Sequence, residues 1–151
     1  MFELNENTTI EELEAQKKVL LKGKKDEKKD EVEAAFEEAV EDLPFIKAEK
    51  RYDAAIKNHK KMGIGTHIFI CENGLSCLLR DPSIPLSAKV MPFLTSIAGS
   101  DPDYYKAAKM LVTECWIAGD SEIRKDEDLI AEVGMAALGT VQMKVARSKK
   151  K

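Results

Sequence analysis

Two histidines and three cysteines are the residues of this chain best suited to chemistry, and their spacing limits what they can do. His59 and His67 are potential metal ligands together with Cys71 or Cys115, but no His-x-x-x-His, Cys-x-x-Cys or His-Glu-x-x-His spacing sets a tetrahedral site. Cys115 beside Trp116 has the atom of a nucleophile, yet it falls on the apolar side of a helical pattern, where a thiol packs as a small hydrophobe, and its base would have to be a distant histidine. Asp120, Glu122, Asp126, Glu127 and Asp128 crowd one loop without the Asp-x-Asp-x-Asp-Gly spacing of a calcium loop, so helix capping and solvation account for them. Gly63-x-Gly65 precedes a strand pattern and lacks a following Gly-Lys-Ser/Thr, which excludes a phosphate loop. No catalytic set, metal ligand set or cofactor site is expected.

The elements that would carry a surface are better defined. At 151 residues and 16.9 kDa the chain suits one core of moderate size with a helical extension. Charged residues make up 34% and aromatics 6%, a mixture of helices with solvated faces rather than an all-β sandwich. A net charge of −3 gives no general attraction to nucleic acid or to an anionic membrane, and no run approaches the ~20 apolar residues of a bilayer span. The acidic N-terminus lacks a secretory signal pattern and the cysteine number is odd, so a reducing cytoplasmic compartment is expected.

Charge is concentrated at the front: residues 1–62 hold 16 of the 27 acidic side chains, which sets 1–62 apart as a charged helical region or arm. Thr9-Ile10-Glu11-Glu12 has the form of a capping box and predicts a helix from Ile10 to Leu21 with a thin apolar stripe that needs a partner. Lys22-Gly23-Lys24-Lys25 breaks it. Asp26 to Asp42 repeats Val32, Ala35, Phe36, Ala39, Val40 and Leu43 at helical spacing, and Pro44 predicts a fresh helix running to Lys61.

Residues 63–146 are expected to form the main domain, followed by a basic tail, 147–151. Thr66–Cys71 and Leu75–Arg80 alternate with period two around Asn73-Gly74, which predicts a β-hairpin over about 66–80. With Asn73-Gly74 as a two-residue turn, Ile70 would face Cys77 and Ile68 would face Leu79, placing Cys71 and Cys77 on opposite faces. Three helices follow: one opened by Pro85 or Ser87, one capped by Asp101 and running from Pro102 to about Ala118 with Gly119 at its end, and one capped by Asp126 and running to about Lys144. The expected fold is therefore α+β and mostly helical, one hairpin packed with three C-terminal helices behind a charged N-terminal helical region.

One stretch carries a likeness. A hairpin ending Leu79-Arg80-Asp81-Pro82, a helix, a Pro-Asp-led helix finishing Glu114-Cys115-Trp116-Ile117-Ala118-Gly119-Asp120, then Glu122-Ile123-Arg124 and a last helix resembles small tail assembly chaperones of bacterial viruses and prophages. The resemblance covers residues 66–140 and departs from the family pattern at Asp81, which separates Arg80 from Pro82. It implies a nonenzymatic protein of the host cytoplasm that binds the tape-measure protein or other phage tail proteins and assists tail-tube assembly. The residues expected to contact such a partner are Phe69, Leu78, Met91, Phe93, Met110, Trp116, Met135 and Met143, the methionines among them supplying adaptable apolar contacts. The competing expectation is a structural virion or oligomeric scaffold protein whose hairpins join subunits, since a two-stranded sheet leaves both strands as edges. A homo-oligomer fits either expectation.

Overall fold

The computed structural model describes residues 1–95 and 101–141; the expected end of the last helix at Lys144, Met143 and the basic tail lie outside the described residues. The chain packs as two compact units, Met1–Asp53 and Ala54–Lys151, so the division falls ahead of the expected boundary at 62.

In the first unit, α1 (Ile10–Leu21) begins where the capping pattern predicts, with the Thr9 hydroxyl accepting from the Glu12 N–H at 3.3 Å. Gly23, at φ +69°, turns the chain into α2 (Asp26–Arg51). Leu13 of α1 is buried against Ala39 and Leu43 of α2, with Phe2, Leu4, Phe36 and Val40 packed around them. The expected stripe of α2 is thus the one it buries. The Phe2 and Phe36 rings stand 5.9 Å apart, and Lys17 Nζ lies 4.6 Å above the Phe36 ring, closing the seam with a cation. Pro44 does not begin a new helix. It sits inside α2, which gives up one backbone bond at that point, and the break comes instead at Tyr52.

The second unit is built on a three-stranded antiparallel sheet in the order β1-β2-β3, with β1 Thr66–Ile70, β2 Ser76–Arg80 and β3 Trp116–Gly119. The helix α3 (Asp53–Lys61) leads into it. The hairpin forms as expected, but its register is one residue off. Ile70 pairs with Ser76, Phe69 with Cys77 and Ile68 with Leu78, because the loop has three residues rather than two. Cys71 N–H donates to the Leu75 carbonyl and Gly74 N–H to the Cys71 carbonyl, with Gly74 at φ +88° supplying the left-handed residue that such a loop needs. Since strand side chains alternate, the shift moves Cys71 and Cys77 onto the same face, a correction to the opposite-face expectation.

The third strand is a second correction. The helix α5 (Tyr104–Cys115) stops at Cys115, and Trp116–Gly119 leaves the helical pattern to pair with β2 through a bulge opposite Leu78 and Leu79. An aromatic followed by β-branched Ile117 suits a strand, and the open edge of β2 supplies the partner. Gly119 is therefore not a helix cap. It lies in β3 against Cys77, where a side chain would not fit.

Cys71, Cys77 and Leu79 line the sheet face that meets the helices. Over it lie Leu86 and Val90 of α4 (Ile84–Leu94), Leu111, Val112 and Cys115 of α5, Ile123 of α6 (Glu122–Lys125) and Ile130 and Val133 of α7 (Glu127–Ala137). The helix starts differ from expectation by a few residues. Ser83 caps α4, and Asp103 rather than Asp101 caps α5, its Oδ1 accepting from Lys106 N–H at 3.0 Å while its own N–H is held by the Phe93 carbonyl. Asp126 caps α7 as expected, accepting from Asp128 N–H at 2.8 Å and Leu129 N–H at 3.3 Å. That helix ends early, at Ala137, where a 3-10 turn over Leu138–Thr140 is fixed by the Thr140 hydroxyl donating to the Ala137 carbonyl. Asp126→Ala is expected to cost about 0.5–2 kcal/mol in a urea titration followed by Trp116 fluorescence, since two amides lose their acceptor.

Candidate partner-binding surface

The eight residues expected to meet a partner occupy quite different environments. Phe69, Phe93, Met110 and Trp116 are half-buried, each packed against the core of the second unit with part of its side chain in solvent. Met91 on α4 is half-buried as well, and Met135 on α7 is 49% exposed. Leu78 is a correction: it is fully buried in the central strand and offers no surface to a partner. Met143 lies outside the described residues.

Cations cover two of the three aromatic members of this set. Lys106 Nζ lies 4.8 Å above the Phe93 ring, and the Arg124 guanidinium lies 5.2 Å from the centre of the Trp116 ring. Each ring therefore presents an apolar body beneath a positive cover, an arrangement in which the long side chain can swing aside for an apolar contact and pair with an acidic neighbour of that contact. The signal in the sequence was incomplete, because Lys106 and Arg124 are distant in the chain from the face they cover.

A cleft of about 290 Å³ opens where β1 begins and β2 ends, lined by Gly63, Ile64, Gly65, Arg80, Asp81, Pro82, Ser83 and Ile84. Asp81 is fixed there twice. Its N–H donates to the Gly65 carbonyl at 2.9 Å, and its Oδ1 meets His67 Nε2 at 2.5 Å. A Cβ at Gly65 would lie 2.1 Å from Asp81 Oδ2, so a larger residue there would displace the Asp81 carboxylate. Arg80 Nη2 donates to the Glu114 carbonyl at 3.4 Å, tying the end of β2 to the last turn of α5. Ser76 N–H donates to Asp120 Oδ2 at 2.8 Å and the Asp120 N–H returns to the Ser76 carbonyl at 3.0 Å, so the acidic loop begins as a clasp on β2.

The residues considered for metal or covalent chemistry have structural surroundings. His59 Nδ1 donates to the Ala55 carbonyl at 2.8 Å, and among the described residues no group of three or more His, Cys, Asp or Glu is arranged to hold a metal ion. Burial pushes the Cys71 thiol up to about 11, with the Glu132 and Asp120 carboxylates adding to it. Burial pushes Cys77 up to about 12, assisted by Cys71 and Asp120, and Cys115 up to about 11 against the opposing pull of Arg80. The thiolate is the reactive form, so these groups are poor nucleophiles.

Two measurements check this. A thiol-specific reagent at pH 8 is expected to modify all three cysteines only after denaturation. The folded chain also holds these protons more tightly than the unfolded one, so their contribution to stability is complete below the ordinary thiol value of 9.0 and is lost as pH rises through about 11 to 12. A variant with all three replaced by alanine should show a flatter alkaline decline.

Compared with known proteins, the chain matches no family model, no curated protein and no solved structure.

Proposed function

We propose that this chain is a nonenzymatic tail assembly chaperone of a bacterial virus or prophage, which binds the tape-measure protein in the host cytoplasm and assists tail-tube assembly. The observation that carries the reading is the surface of the second unit. Phe69, Phe93, Met110 and Trp116 stand half-buried around one core, Met91 is half-buried on α4, and the Phe93 and Trp116 rings lie beneath Lys106 and Arg124. A long amphipathic client helix needs that combination, adaptable apolar contacts edged by charge. The order hairpin, α4, Asp-capped α5 ending at Cys115, then α7 is compatible with the family likeness, with the strand β3 standing where the likeness has the end of a helix.

The particle itself tests the proposal. A chaperone is expected to be present in assembling lysate bound to the tape-measure protein and absent from purified finished tails. Finding it in finished tails at a fixed ratio to the tube subunit would overturn the proposal in favour of a structural component.

A further inference from the structure

The backbone pattern of β1 fixes which of its groups face outward. Asp81 N–H donates to the Gly65 carbonyl and Cys71 N–H to the Leu75 carbonyl, an even number of residues apart, so the odd-numbered residues of β1 bond to β2. Thr66, Ile68 and Ile70 turn their N–H and C=O groups away from β2, along the outer edge of the three-stranded sheet. No residue of β1 is buried, whereas four of the five in β2 are.

The two edges of the sheet are built differently. β3 has four residues, a bulge opposite Leu78 and Leu79, and a terminal glycine, all devices that blunt an edge. β1 has none of them. Thr66-His67-Ile68-Phe69-Ile70 contains no proline, glycine, acidic residue, lysine or arginine, and it is made of residues that favour strands.

We propose that the outer edge of β1 is completed by a second copy of this chain, the two β1 strands running antiparallel about a twofold axis at Ile68, so that two three-stranded sheets fuse into one of six strands. The edge is self-complementary under that axis: Ile68 meets the partner's Ile68, and Thr66 meets the partner's Ile70, β-branched against β-branched. Charge agrees with the antiparallel sense. Lys60 and Lys61 precede β1 and Glu72 follows it, so the basic approach of one strand lies beside the acidic exit of the other. A helical client cannot fill this edge, because its backbone groups are already paired within the helix. The inference goes beyond the proposed function and does not rest on it.

Sedimentation equilibrium of the full chain at micromolar concentration tests it. The expected mass is twice 16.9 kDa. Ile68→Lys sets two cations face to face at the axis and is expected to weaken association at least ~10-fold, Ile68→Glu likewise, and an equimolar mixture of the two is expected to restore the dimer. Amide exchange in the unaltered chain gives a readout that needs no variant: Ile68 and Ile70 should be protected at high concentration and lose protection on dilution. A monomer at all concentrations, variants that keep the dimer mass, or concentration-independent exchange at Ile68 and Ile70 would overturn the proposal.

Discussion

Gly119→Ala is expected to lower the stability of the second unit by about 3–5 kcal/mol, combining backbone strain with overpacking. Gly119 sits at φ +148°, and a Cβ there would stand 2.6 Å from Cys77 Cα and 2.8 Å from the Ser76 carbonyl oxygen. Both are backbone atoms of the central strand, which cannot move without breaking the pairing of β2 with β1 or β3. The single tryptophan opens β3, so its fluorescence in a urea titration reports the second unit directly. Gly139→Ala is the control. No atom lies within 4 Å of its added Cβ, and its effect should stay under about 0.5 kcal/mol. A Gly119→Ala loss no larger than the control's would mean that β3 does not lie against β2.

Gly134→Val is expected to be nearly as damaging, at about 3–4 kcal/mol, because it opens the contact between α5 and α7. Even the first added carbon would lie 2.4 Å from Ala108 Cβ and 2.7 Å from Ala108 Cα and its carbonyl oxygen. Gly134→Ala should cost less, about 1–2 kcal/mol, since the helix propensity gained on leaving glycine offsets part of the overpacking. The same tryptophan signal checks both, and the order Val worse than Ala is the diagnostic result. Equal effects would show that the two helices are not in close contact at this point.

These glycines also mark what could be read from the chain and what could not. α1 was legible because Thr9 and Glu12 encode its start locally, and the buried stripe of α2 because Val32, Phe36, Ala39 and Leu43 repeat at its own period. The hairpin was legible from Asn73-Gly74, but its register was not. Two- and three-residue loops share that dipeptide, and the choice between them rests on where the backbone of Cys71, Gly74 and Leu75 finds its bonds. β3 was hidden for a different reason. Trp116 continues the apolar side of α5, and only the vacant edge of β2, some forty residues earlier, makes it a strand.

For the surface, residue type showed which side chains are apolar but not how far each is covered. Leu78 and Met135 were equally good candidates, and the central position of β2 buries the first while the outer face of α7 exposes the second. The cations over Phe93 and Trp116 required the tertiary fold, as did the contact of Asp81 with His67.

The central claim is that this chain acts by offering that surface to a long helical partner. Co-expressing it with the tape-measure protein of the same virus or prophage, then following that protein between soluble and pelleted fractions, is the most direct test. The account predicts that the tape-measure protein becomes soluble and co-elutes with this chain, and that Phe93→Asp with Met135→Asp, in a variant whose urea transition followed by Trp116 shows the second unit still folded, returns it to the pellet. A tape-measure protein equally insoluble with and without the chain, or equally soluble with the doubly substituted one, would contradict it.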